Sequence, residues 1–198
     1  MDLYATKGRI NARLTPLVAR LAAAGVSADA LTLAAVVVAA LGGLALLASP
    51  QLPLLLIAVP PLAIARLVLN LLDGQVARHT GRSHPRGELL NEVADRLADI
   101  LFLAPVAFLP GAQAETVWLG LVGALLASYV GVASRAAGGR RIYRGVLSKP
   151  GRMILLAVFA VAVLFLGPGA WWAFGPLLLF GTALTIVERL IVGLRELP

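Results

Sequence analysis

Five of the chain's 10 acidic residues fall between positions 73 and 99: Asp73, Glu88, Glu92, Asp95 and Asp99. The flanking sequence is apolar enough for a bilayer, where carboxylates are costly and ordinarily face a bundle interior or a water-filled cavity. Five of them around one short turn need a cation to share, or a substrate that offsets their charge. Their spacing allows convergence. Asn70 and Asp73 lie three apart, and Ala77 continues the same helical face. Gly74 and Ala77 add little bulk, so the phosphates of a ligand could approach closely. Asn91, Asp95 and Asp99 follow at steps of four, with Glu88 one turn earlier. The stretch 78–87 is short and basic, so the two segments are antiparallel neighbours whose oxygen-bearing faces can meet. An oxygen-rich set without thiols and poor in imidazoles suits Mg²⁺ or Mn²⁺ rather than zinc. Ion pairing at helix ends, Glu92 with Arg96 or Arg96 with Asp99, is the plainer use of such residues.

The elements that must position these groups are membrane spans. Of 198 residues, 60% are hydrophobic, and the mean hydropathy is +0.90, more apolar surface than a soluble domain of this length can hide. Six apolar segments, 31–48, 54–72, 89–109, 117–137, 153–166 and 171–191, each approach the roughly 20 residues of a span. Pro50 and Pro53, Pro110-Gly111, and Gly167-Pro168-Gly169 mark three turns without Lys or Arg. The basic residues collect in the alternate segments. By the positive-inside rule both termini and these segments are cytoplasmic. Before the first span, Leu3, Ile10, Leu14, Leu17, Val18 and Leu21 recur at helical spacing among Lys7, Arg9, Arg13 and Arg20. This predicts an amphipathic interfacial helix over 1–25, ahead of a six-helix bundle over 29–193. The expected architecture is all-α and integral to the membrane, one domain over 1–198. Residues 1–13 lack the layout of a signal peptide, so the chain reads as mature protein. The net charge of +7 is explained by topology and anionic lipid rather than nucleic acid.

The stretch from Asn70 resembles the motif of the CDP-alcohol phosphotransferase (CDP-alcohol phosphatidyltransferase) family, D-x2-D-G-x2-A-R-x8-G-x3-D-x3-D. Here it runs Asn70, Asp73, Gly74, Ala77, Arg78, eight residues, then Gly87, Asn91 and Asp95. Every spacing is kept, and only the first and third aspartates are replaced, by Asn70 and Asn91. The start of the first expected span, through Asp29 and Thr32, is similar to a weaker family signature, and the stretch 148–152 resembles the opening of the family's fifth span. The resemblance implies a metal-dependent displacement at the cytoplasmic face, in which an alcohol acceptor attacks a CDP-linked donor such as CDP-diacylglycerol or another CDP-alcohol and CMP leaves. Asn70, Asp73, Asn91 and Asp95 would build the site for one or two Mg²⁺ or Mn²⁺ ions. Asp95 would act as general base or orient the attacking hydroxyl. Thr32, Gly74, Ala77, Arg78 and Gly87 would contact the nucleotide and pyrophosphate. A bacterial cytoplasmic (inner) membrane is the expected location.

The two asparagines offer carbonyl oxygens without charge. Asp99 or Glu88 could restore that charge, the site could hold one ion, or binding could persist without activity. Arg135, Arg141, Lys149 and Arg152 form a basic cytoplasmic cluster suited to an acceptor or lipid phosphate, and Arg66, one turn inside Asn70, could join it or pair with a carboxylate. Trp118, Trp171 and Trp172 fit interfacial anchors. Gly120, Gly123 and Gly131 fit close helix packing, including at a homodimer contact. Two rival readings are an ion or proton transporter using the buried acids and a non-catalytic lipid- or nucleotide-binding homologue.

Overall fold

The computed structural model describes residues 14–82 and 84–197. They are helical, with no strand among the described residues: α1 (Leu14–Ala23), α2 (Ala28–Ala48), α3 (Val59–His79), α4 (Pro85–Leu103), α5 (Ala114–Ala136), α6 (Lys149–Leu166) and α7 (Phe174–Glu196). Local chemistry sets the boundaries. Ser27 caps α2 by accepting from the Ala30 N–H at 3.1 Å. Pro85 and Pro150 stand in the first turns of α4 and α6, where a missing N–H costs nothing. The three turns expected at 50–53, 110–111 and 167–169 are present, each adjoined by a 3₁₀ helix with proline in its first turn: Pro53–Ala58, Ala104–Phe108 and Pro168–Ala173. Gly111 (φ +85°) needs its freedom twice over, since a Cβ there would also sit 2.5 Å from the Pro168 carbonyl.

Where helices approach most closely, small residues lie inside and large ones turn outward. On α2, Leu33, Val37, Leu41 and Leu44 point outward and are at least half exposed, while Ala35, Ala39, Gly42 and Gly43 are buried. This is the arrangement of helices that associate through close packing while lipid solvates their large side chains. A Cβ on Gly43 would lie 2.1 Å from the Leu101 carbonyl oxygen of α4. Gly120 and Gly123 play the same part between α5 and α7, meeting Leu178 and Thr182 of the same chain.

Among the described residues five helices are long and apolar enough to cross a membrane, and the chain is an integral membrane protein. α4, the third of the six expected spans, falls short on composition because it carries Arg86, Glu88, Glu92, Asp95, Arg96 and Asp99. It nevertheless lies against α2 along much of its length and buries Ala94, Ala98, Phe102 and Leu103.

At the end of the bundle with the uncharged turns, Phe102, Leu103, Val106, Leu156, Trp171, Phe174 and Leu178 belong to one buried apolar cluster. Trp171 is therefore a core residue and not an anchor: it is 2% exposed, stacked on Phe159 and edge-on to Phe174. The 3₁₀ turn aims it inward while Trp172 faces out. At the opposite end α1 lays Val18 against Leu31, Leu72 and Val76, next to the motif segment. The rest of the expected amphipathic face, Leu3 and Ile10 with Lys7, Arg9 and Arg13, lies outside the described residues.

Candidate active site

A cavity of about 500 Å³ opens where the start of α2, the end of α3, the start of α4 and the connection between α5 and α6 meet. Thr32, Asp73, Gly74, Ala77, Arg78 and Gly87 all line it, together with Glu88, Asn91 and Arg141. Asp73 is held from both sides: the Thr32 hydroxyl donates to Oδ2 at 2.9 Å, and the Gly74 N–H donates to Oδ1 at 2.5 Å. The glycines keep the cavity open. A Cβ on Gly74 would lie 3.2 Å from the Arg78 guanidinium, and one on Gly87 would meet the His84 ring at 3.2 Å and Asp29 at 3.4 Å.

The other motif positions meet beside this cavity. Asn70 Nδ2 donates to Asp95 Oδ1 at 2.7 Å and, more weakly, to Asn91 Oδ1 at 3.4 Å. Asn70 Oδ1 is left buried without a hydrogen-bond partner among the described residues. The second oxygen of Asp95 pairs with the Lys149 ammonium, and Arg96 stands 3.7 Å from it. The two helices thus bring Asn70, Asn91 and Asp95 together, with Asp73 one turn further along α3 on the cavity wall. Among the described residues no three His, Cys, Asp or Glu side chains converge on a shared point, so the amides must supply part of any ion's ligation. The donors still fit a hard divalent cation: all are oxygens, and a buried carbonyl oxygen lacking a donor is a ready ligand.

The remaining candidates fall into distinct groups. Asp99 is fully buried and turns away from the motif, Oδ1 to Arg66 at 2.7 Å and Oδ2 to Arg152 at 2.6 Å. Arg66 also donates to the Asp95 main-chain carbonyl at 3.2 Å, and Arg152 to that of Leu147 at 3.1 Å. These three form a buried strut joining α3, α4 and α6 behind Asp95. Glu88 pairs with Arg135 at the rim, where both are about half exposed. Glu92 joins Arg96 and Arg141, and the Arg141 guanidinium lies 4.7 Å from the centre of the Tyr143 ring.

Four residues outside the expected site set also contribute. His84 caps α4, its Nδ1 accepting from the Gly87 N–H at 2.9 Å, and lines the cavity; its place just before Pro85 was the available signal. Asp29 and Tyr143 also line the cavity. Arg189 of α7 donates to the carbonyls of Ala127 (2.6 Å), Arg144 (2.8 Å) and Tyr143 (3.0 Å), fixing the α5–α6 connection that presents Arg141. Nothing in the sequence marks that long-range contact.

Residues 25–187 match the family described as CDP-alcohol phosphatidyltransferase. The chain belongs to this family. It is a CDP-alcohol phosphatidyltransferase-family transferase, and its relatives accord with that. The inner membrane protein YnbA of Escherichia coli K12 is 32% identical over 202 residues, spanning all of both chains. The archaetidylinositol phosphate synthase of Aeropyrum pernix is 32% identical over 150 residues, covering 75% of this chain and 73% of that one. Among solved structures, the phosphatidylinositol phosphate synthase (PgsA1) of Mycobacterium tuberculosis with CDP-DAG bound shares the fold, with a TM-score of 0.74 at 23% identity over 90% of this chain and 92% of that one. The same synthase in complex with manganese and citrate also gives 0.74, covering 91% of this chain and 88% of that one.

Proposed function

We propose that this chain transfers the phosphatidyl-type group of a CDP-linked lipid, CDP-diacylglycerol in the first instance, to an alcohol and releases CMP. The observation that carries the reading is the joining of Asn70, Asn91 and Asp95 beside a cavity lined by Asp73, Gly74, Ala77 and Gly87. Thr32, Gly74, Ala77, Arg78 and Gly87 receive the nucleotide and pyrophosphate. Asp95 accepts the proton of the attacking hydroxyl. The new bond joins the alcohol oxygen to the phosphorus distal to cytidine, and the bond from that phosphorus to the bridging oxygen breaks, leaving on CMP. Mg²⁺ or Mn²⁺, held by Asn70 Oδ1, Asp73 and Asn91, would neutralise the pyrophosphate and polarise its oxygens. The asparagines at the first and third aspartate positions define a variant of the motif that works with this reduced charge.

Arg141 on the cavity wall suits a phosphorylated acceptor, since its ionised fork recognises phosphate. Arg66 and Arg152, committed to Asp99, act by position instead. In the membrane, α4 is the third of six spans because its innermost charges, Asp95 and Asp99, face α3 and α6. The charged end and both termini are cytoplasmic, and the membrane is a bacterial inner membrane.

The decisive assay uses purified protein, labelled CDP-diacylglycerol, Mg²⁺ or Mn²⁺, and a panel including inositol phosphate, glycerol phosphate and serine. CMP release with one acceptor is the expected result. Tight CDP binding with no CMP release for any acceptor would instead establish the non-catalytic binder, a reading favoured by the absence of three converging acids among the described residues.

A further inference from the structure

We propose that Lys149 is a built-in cation of the motif site, so that the chain takes a single divalent ion, on the Asn70–Asp73 side. The proposal deepens the transferase reading above and rests on its assignment of that site as the ion's place.

The charges decide the count. Asp73 and Asp95 contribute two negative charges, Asn70 and Asn91 none, and Lys149 one positive charge in direct contact with Asp95. One divalent ion brings this set from a formal −1 to +1. A second would bring it to +3, with no further anion among the donor atoms. The surroundings add to the opposition: Arg96 stands 3.7 Å from Asp95, and the buried pair Arg66 and Arg152 shares the single charge of Asp99. Glu92 offsets part of this, but it is already divided between Arg96 and Arg141. At such separations, away from bulk water, like charges oppose one another strongly.

Geometry separates the two carboxylates in the same way. Both oxygens of Asp95 are engaged, Oδ1 by the Asn70 amide at 2.7 Å and Oδ2 by Lys149. A metal at Asp95 would have to displace an ammonium. Asp73 takes its hydrogen bonds from neutral donors, Thr32 and the Gly74 N–H, with the Lys149 charge acting on it only at a distance, and the unpartnered Asn70 oxygen lies on the neighbouring turn of the same helix. Lys149 is fixed where it stands, as the first residue of α6 with Pro150 behind it. Its compact charge suits this place better than a guanidinium fork would.

The test is Mn²⁺ binding to the purified full chain in detergent, without nucleotide, counted by the electron paramagnetic resonance signal of the free ion. Wild type should bind one Mn²⁺ per chain and show no spin coupling between bound ions. Lys149→Met should bind Mn²⁺ at least about tenfold more tightly, or admit a second ion, because a nearby positive charge is gone. Lys149→Arg should stay within a few-fold of wild type. Two ions in wild type, none at all, or a Lys149→Met titration superimposable on wild type would overturn the proposal. The wild-type count decides even where the methionine variant does not fold. CMP release measured on the same samples keeps the two readings apart. One ion bound with no CMP released sinks the transferase reading alone; two ions with CMP released sinks this one alone.

Discussion

Asp99 and Asp95 stand one helical turn apart, yet their environments assign them different work. Asp95 faces Asn70 and Lys149 at the edge of the cavity, whereas Asp99 is sealed between two arginines. Asp99→Asn removes the anion that two buried guanidinium groups share, a change that ordinarily costs about 3–5 kcal/mol. Thermal unfolding in detergent should show that loss, while the Mn²⁺ affinity of whatever protein folds stays near wild type. Asp95→Asn also unpairs Lys149 and so lowers the melting temperature too, but unlike Asp99→Asn it should lower kcat of the folded protein by about 10²–10⁴-fold, as loss of a general base does. The sequence placed both residues on one face correctly, because helical spacing is local information. It could not tell which carboxylate met a cation, because Arg152 and Lys149 lie more than fifty residues further along the chain. Asp99 as a spare metal ligand was a fair expectation from spacing, and only the long-range partners redirect it.

The helices show the same division between local and distant information. Turns were readable, since proline and glycine act on their own backbone, and each expected turn on the uncharged side is present. The amphipathic reading of Val18 and its neighbours is likewise matched by the packing of α1. The role of Trp171 was not readable: a tryptophan beginning a span is apolar whether it faces lipid or core, and its ring partners Phe159 and Phe174 decide the matter. Nor was Arg189, which holds the α5–α6 connection through three main-chain carbonyls. Arg189→Met should loosen that connection, and with it Arg141. Steady-state kinetics should then show KM for the acceptor raised by roughly tenfold or more, as expected for a lost charged hydrogen-bond set, with KM for the CDP-linked donor changed far less. An equal rise in both would place the connection at the donor's side instead.

For the molecule as a whole, the absence of cysteine makes the proposed orientation directly measurable. Thr80→Cys and Gly169→Cys lie in turns at opposite ends of the bundle, so in intact cells a membrane-impermeant thiol reagent should label the second and spare the first. Removal of divalent ions with a chelator should abolish CMP release, and Mg²⁺ or Mn²⁺ should restore it. The distribution of polar groups along the bundle has a further consequence. Acids and bases crowd one end, while the other is closed by a plug of Phe102, Val106, Leu156, Trp171, Phe174 and Leu178, each at most 2% exposed. An ion that entered the vestibule would meet hydrocarbon rather than a wire of water, and the cost of moving a bare charge through such a region is prohibitive. The buried cluster predicts a protein that does not conduct ions. Reconstituted in a planar bilayer it should carry no current at any voltage, and a cell can stock its membrane with many copies without draining the potential across it.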